Sequence, residues 1–271
     1  MDIIKALKEK TGGKKDYLSY STLKYGHPTG DMRLFELKFQ DKMKYTTPAL
    51  QFGSLYDCLL LTPEKFDDRF VLIEDEDIVG NLKAKGIKNP RATKVYKDLL
   101  RKLEEDNPDK EMVNVDDHAK AIDMITRLED CGIKELYLTG DCQAEFKRPI
   151  PTENYGDVMI RGFLDCLGDT FISDSKSTQS VHGLRWDIKG KYMYSLQAYL
   201  YREAYKKDDD TYRDFFWVGQ EKTYPYLPAV YKASEETLNL GKKQFNEAID
   251  NIARFIESDR ASETHYRIDT I

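Results

Sequence analysis

The sequence predicts an α+β protein with a mixed central β-sheet flanked by helices. Three observations predict it. Apolar residues recur at helical spacing through the first half of the chain. Three consecutive strand-like segments follow from about residue 143. A helical stretch, two further strands and a long final helix complete the order. Helices first, then strands with helices among them, is the pattern of a mixed sheet covered by helices. The 271 residues can bury a sizeable core. We read them as one domain, with a mainly helical part over 1–140, a core of sheet and helices over 141–258, and a tail over 259–271.

Residues 1–16 are charged, end in Gly12-Gly13-Lys14-Lys15, and read as a short helix or an arm. In Leu18-Ser19-Tyr20-Ser21-Thr22-Leu23 either serine can cap a short helix, which Gly26, Pro28 and Gly30 break. A second amphipathic helix is expected over Asp31 to Met43, with Leu34, Leu37 and Phe39 among its apolar positions. In the stretch 48–66, Phe52, Leu55, Tyr56, Leu59 and Leu60 recur at helical spacing, and Thr62-Pro63 stops the helix. Phe70 to Glu74 reads as a strand. Residues 76–112 are polar, with one helical stretch from Ala92 to Glu105, and read as an elaboration without evident chemistry. A helix is expected from about Asp116 to Asp130, with Ala119, Ile122, Ile125 and Leu128 as its buried stripe.

Gln143 to Ile150, Asp157 to Cys166 and Thr170 to Ser175 are the three consecutive strands, the last two joined by a tight turn at Gly168-Asp169. Residues 180–207 are mostly helical with an interruption near Gly190, and Asp208-Asp209-Asp210 is an acidic turn. Arg213 to Gln220 and Ala229 to Lys232 are two further strands. Glu235 to Ser258 is the closing helix, and the tail after Arg260 is expected to fray.

Charged residues make up 33% of the chain and the net charge is −6, which gives no global nucleic-acid signature. A local basic face would suffice for one, since active-site carboxylates count against the total. Cys58, Cys131, Cys142 and Cys166 form no C-x-x-C pair, so a zinc ribbon or iron–sulfur clip is unsupported and reduced thiols in a cytoplasmic protein are expected. The N-terminus is too polar for a signal peptide, and no segment approaches the ~20 apolar residues of a membrane span. No G-x-x-x-x-G-K-[ST] loop occurs, which argues against ATP-driven action.

The chemistry concentrates in Arg161 to Lys176, RGFLDCLGDTFISDSK. Strand side chains alternate faces, so Asp174 and Lys176 share one face, and the hairpin can bring Asp165 beside them. Metal-assisted phosphodiester hydrolysis needs two or three hard oxygen ligands and a cation at the phosphate, and these three residues supply that set. Alone, an Asp followed by D-x-K is a weak signal and more often marks a solvated, salt-bridged strand edge. The apolar setting of Asp165, and of Asp174 after Phe171-Ile172, favours a site. Asp57 lies in an apolar helix, where a buried ionised carboxylate needs a partner or a metal; a structural ion pair or exposed helix face, and a metal ligand or an acid behind one, are all open. On the later helix Tyr194, Gln197 and Tyr201 share a face. Glu145 is a further acid on the preceding strand, Arg161 is a candidate phosphate contact, and His182 and Trp186 could line the DNA path but read first as packing residues.

Taken together, Asp165, then Asp174-Ser175-Lys176, then Gln197-Ala198-Tyr199-Leu200-Tyr201 resemble the PD-(D/E)XK nuclease core followed by the Q-x-x-x-Y motif of its RecB-like branch. Within that superfamily the chain resembles the RecE-type (exonuclease VIII-like) phage and prophage exonucleases. Leu18 to Leu23 is similar to their I-S-x-S-x-L opening, and Pro48 to Phe66 to their P-A-x-x-x-G-x-x-x-H-x-x-x-L-x-P-E-x-F stretch. The resemblance spans residues 17 to 205 and departs in one place: Asp57 stands where the family has a metal-binding histidine.

The resemblance implies a restriction-endonuclease-like core and a Mg²⁺- or Mn²⁺-dependent exonuclease digesting duplex DNA ends 5′ to 3′. Asp57, Asp165 and Asp174 would be metal ligands and Lys176 the water-activating residue. Gln197 would position the DNA end or the water, with Tyr201 beside it. Glu145 would reach the metal through water or hold Lys176, an ion pair with Lys147 or Arg148 being its structural alternative. It also implies a ring-shaped homo-oligomer and a single-strand annealing protein as partner. A single-strand or structure-specific nuclease, or an end-binding protein weakened in catalysis, are the alternatives.

Overall fold

A computed structural model describes residues 1–258 except 44, 45, 191, 208 and 210. The tail and the acidic turn at Asp208 and Asp210 lie outside the described residues.

The first half is helical. α1 (Ile3–Thr11), α2 (Tyr20–Gly26), α3 (Met32–Phe39) and α4 (Pro48–Leu61) come first. Ser19 caps α2 by accepting from the Thr22 N–H. Thr47 caps α4, whose first residue is Pro48, where the missing N–H would have had no partner. Then follow α5 (Phe66–Arg69), β1 (Phe70–Ile73), α6 (Asp75–Ala84), α7 (Lys94–Asp106), β2 (Glu111–Asn114), α8 (Val115–Asp130) and α9 (Ile133–Tyr137). The second half holds β3 (Asp141–Pro151), β4 (Asp157–Leu167), β5 (Phe171–Thr178), α10 (Val181–Lys189), α11 (Tyr194–Ala204), β6 (Asp214–Glu221), β7 (Pro228–Lys232) and α12 (Glu235–Glu257).

The described strands form a two-stranded parallel sheet, β1-β2, and a five-stranded mixed sheet in the order β3-β4-β5-β6-β7. In the larger sheet only β5 and β6 run parallel, and α10 and α11 make the crossover between them. Adjacent residues of β6 point to opposite faces: Trp217 enters one hydrophobic core and Val218 the other. The first core joins the sheet to α1, α2, α3, α11 and α12 through residues such as Leu23, Phe35, Leu164, Leu200 and Phe245. The second joins it to α4 and α8 through Leu55, Tyr56, Met124, Leu128 and Cys166. The mixed sheet between helical layers is the expected α+β architecture.

Three expectations need correction. α6 and β2 were not anticipated. The charges of α6 and its Gly80 hide a face in which Val79 and Leu82 are buried, and β2 is a four-residue strand defined by a distant partner, β1. On α8 the buried stripe is Ala121, Met124, Ile125 and Leu128, while Ala119 and Ile122 are exposed. The helix is rotated so that Met124, rather than Ile122, meets α4. His182 and Trp186 are exposed on α10 rather than packed, Trp186 at 74%. No helix among the described residues is long and apolar enough to cross a membrane.

Candidate active site

β4 and β5 pair for only two residue pairs beyond their turn, Leu167 with Ile172 and Cys166 with Ser173. Beyond these two pairs a side chain takes over. Asp165 Oδ2 accepts the Ser175 backbone N–H at 2.7 Å, and its Oδ1 accepts from Gln143 Nε2 at 3.2 Å. Gln143 holds this position from a left-handed backbone conformation in β3, φ 55°. Because β4 and β5 part where they do, both strands direct acids into the gap.

Asp174 is 2% exposed. Its Oδ1 accepts from Gln197 Nε2 on α11 at 2.7 Å, and its Oδ2 forms an ion pair with Lys176 Nζ. Asp174 and Lys176 therefore do share a face, as alternation requires. The Lys176 ammonium also lies 4.9 Å from the centre of the Tyr194 ring. Tyr201, one turn beyond Gln197, is buried and meets Phe146 edge-on at 5.3 Å. Gly162 makes room there, since a Cβ on it would fall 2.7 Å from the Phe146 ring.

Asp57 joins the group from α4. Burial first, and the Asp165 carboxylate second, hold its carboxyl well above the usual range, with Lys176 working in the other direction. Burial and then Asp174 push Asp165 up to about 7, against the pull of Lys176, the Ser175 N–H and Gln143. Burial alone would lower the Lys176 ammonium, but Asp174 and Asp165 outweigh it and hold the lysine well above its usual range. The site is thus a set of mutually repelling carboxylates around one firmly charged lysine. Beneath it, Tyr56 donates to Gln220 Oε1 at 2.5 Å, and Gln220 Nε2 donates to the Met124 carbonyl at 2.6 Å. That chain fixes α4, and with it Asp57, against β6 and α8.

The other two sequence candidates stand apart. Glu145 is exposed and pairs with Arg161 at 2.5 Å, and Arg161 also donates to the Tyr17 hydroxyl at 2.9 Å. The ion-pair partner of Glu145 is the cross-strand arginine rather than its sequence neighbours Lys147 or Arg148. Neither Glu145 nor Arg161 is among the charges that dominate at Asp57, Asp165 or Lys176. Sequence reasoning missed Gln143, whose signal was only its place opposite Asp165, and Tyr56, the residue before Asp57.

As a donor set, Asp57, Asp165 and Asp174 suit a hard divalent cation. All offer carboxylate oxygens, and a cation would relieve the repulsion that raises Asp57 and Asp165. Among the described residues no three His, Cys, Asp or Glu side chains are gathered in ligand geometry. The set is assembled in charge rather than clasped around one point.

Asp165 on one strand, D-x-K on the next and a glutamine from the crossover helix bonded to Asp174 of that D-x-K make the arrangement of the PD-(D/E)XK class. The chain belongs to the family described as a PDDEXK-like domain of unknown function (DUF3799), whose model matches residues 20–269. Among solved structures it is similar to a candidate exonuclease from Eubacterium rectale, with a TM-score of 0.61 and 16% identity over 97% of this chain and 94% of that chain. At that identity the likeness is one of fold. A second structure, that of SSO0001, aligns with a TM-score of 0.29 and 12% identity over 74% of this chain and 87% of that one, too distant to bear on the argument. No curated protein matches the sequence.

Proposed function

We propose that the protein is a divalent-metal-dependent DNA exonuclease that hydrolyses phosphodiester bonds at duplex ends. The observation that carries this reading is the convergence of Asp57, Asp165, Asp174 and Lys176, with Gln197 bonded to Asp174. The fold it shares with the Eubacterium rectale candidate exonuclease supports it. Digestion from 5′ to 3′, in a RecE-like recombination role beside a single-strand annealing protein, extends it, as do a ring of subunits around the duplex and a cytoplasmic location.

Asp57, Asp165 and Asp174 would hold Mg²⁺ or Mn²⁺. Such an ion supplies a more acidic water and offsets charge at the phosphate. The chain's own residues do the rest. Gln197 holds Asp174 in one orientation by donating to Oδ1. The Ser175 N–H and Gln143 hold Asp165. Lys176, kept charged by the acids around it, places a fixed cation where a phosphate would enter. From the same position it could orient or help deprotonate the attacking water.

The test is to incubate the protein with linear and closed circular duplex DNA, in Mg²⁺, Mn²⁺ or EDTA. Metal-dependent loss of the linear form alone supports the proposal. Cutting of circles replaces it with an endonuclease, and end binding without cleavage in Mg²⁺ or Mn²⁺ replaces it with a binding protein.

A further inference from the structure

Two lysines far apart in sequence meet at one ring. Lys120, on α8, has its Nζ 5.1 Å from the centre of the Phe52 ring, and Lys222, one residue past β6, has its Nζ 5.9 Å from it. Neither has an ion-pair partner among the described residues. Burial first, and the Lys120 charge second, push the Lys222 ammonium below its usual range, so the two cations stand close enough to repel. An aromatic face attracts each by about 0.5–1 kcal/mol at such a site, but it supplies no counter-charge.

The position is fixed from both sides. Phe52 is buried and stacks on Tyr56, one helical turn on, at 6.5 Å and 9°. Lys222 donates its backbone N–H to the Thr178 carbonyl at 2.9 Å, two residues beyond Lys176. The pair therefore lies past the same strand ends that carry Lys176, and Phe52-Tyr56-Asp57 on α4 connects it to the acids. Two ammonium groups held together by separate elements without a carboxylate carry a repulsion that one bridging anion would remove.

We propose that Lys120 and Lys222, gathered at Phe52, bind a backbone phosphate of the DNA strand along its path from the carboxylate cluster. This rests on the nuclease reading and extends it from the reacting phosphate to a neighbouring one. The contact is to phosphate, so it gives affinity without sequence preference.

The test is binding of a fluorescent-labelled linear duplex by anisotropy, in Ca²⁺ in place of Mg²⁺, over a range of salt. Each phosphate contact contributes about 0.9 to the slope of log K against log salt. Lys120→Gln and Lys222→Gln should each weaken binding and lower the slope by about that amount, and the double variant by up to twice it. The loss of cleavage in these variants should track the loss of affinity at low DNA concentration and shrink as DNA approaches saturation. Lys243→Gln on α12, where Lys243 faces Glu247 at 3.8 Å, should leave the slope unchanged. Wild-type slopes in both Lys120→Gln and Lys222→Gln, with folding confirmed by circular dichroism, overturn the phosphate site alone. Absence of metal-dependent DNA binding in the wild-type protein overturns the nuclease reading and this site with it.

Discussion

Gln197 Nε2 donates to Asp174 Oδ1 across 2.7 Å, and this bond ties the crossover helix to the acid at the centre of the sheet. Among the described residues, Lys176 meets the second oxygen of Asp174. Groups that hold a metal ligand from behind commonly contribute 10- to 100-fold in metal affinity. Gln197→Ala should therefore raise the Mg²⁺ concentration needed for half-maximal cleavage by about 10- to 100-fold, with a smaller change in rate at saturating metal. A Mg²⁺ titration of activity separates the two. An unchanged midpoint would remove Gln197 from the site.

Asp165 titrates at about 7 in the fold, above the ordinary 3.8. A carboxyl raised in this way keeps its proton longer when folded than when unfolded. Its ionisation opposes folding, with no effect below about pH 4, a growing one from about pH 4 to 7, and a full one above. Asp57 acts in the same direction. In EDTA the thermal midpoint should fall as pH rises through this window, and Asp165→Asn should flatten the fall. Adding Mg²⁺ at about pH 6 should release protons into a weakly buffered solution, because ligating carboxylates must be ionised. A flat stability profile would refute the assigned repulsion.

Lys176→Met keeps a side chain of similar length and removes the charge that faces the Tyr194 ring. Loss of one preorganised charge at a developing anion costs roughly 100-fold or more in rate. Cleavage should drop at least that far while the far-ultraviolet circular dichroism is retained. Because Lys176 also offsets Asp165 and Asp174, the variant should lose more stability at about pH 8 than at about pH 5. Full activity would overturn the assignment of this lysine.

The parts of the site that were legible in the sequence were those written in short-range pattern. Asp174, Lys176, Gln197 and Tyr201 follow from the alternation of a strand and the turn of a helix, and the structure joins them by contacts that those periods allow. Gln143 was not legible as a partner of Asp165, because its contact depends on a left-handed residue in β3, a feature no periodicity reveals. Glu145 illustrates the reverse. Its strand position was anticipated, but its partner, Arg161, is a matter of cross-strand register, which the sequence leaves open. β2 escaped for the same reason, since four residues become a strand only when β1 lies beside them.

Gly241 on α12 sets the height of the crossover helix. A Cβ there would fall 2.1 Å from the Ser195 carbonyl oxygen and 2.8 Å from the Tyr199 Cβ. Neither contact can be relieved by rotating a flexible side chain, so the helices must separate. Gly241→Ala should cost about 1–3 kcal/mol of stability, read by urea denaturation, despite the better helix propensity of alanine. Since Gln197 lies two residues past Ser195, the variant should also need more Mg²⁺ for activity. Wild-type stability would mean that α11 and α12 tolerate a wider separation than their packing implies.

Asp57 is the residue on which stability and activity should part. It sits among like charges, and burial together with Asp165 holds its carboxyl well above the usual range. Asp57→Asn removes one of three repelling groups without changing the size of the side chain. In EDTA at about pH 8 the variant should be more stable than wild type by about 0.5–2 kcal/mol, the usual return for relieving strain at a functional site. The same change removes a charged oxygen ligand, so stabilisation by added Mg²⁺ should shrink and cleavage should fall. Asp57→His tests the role more narrowly. A neutral imidazole can still ligate a divalent ion, so this variant should keep metal-dependent cleavage while preferring softer ions such as Mn²⁺ over Mg²⁺. Loss of cleavage in Asp57→His together with unchanged metal stabilisation in Asp57→Asn would show that Asp57 shapes the electrostatics of Asp165 without touching the ion.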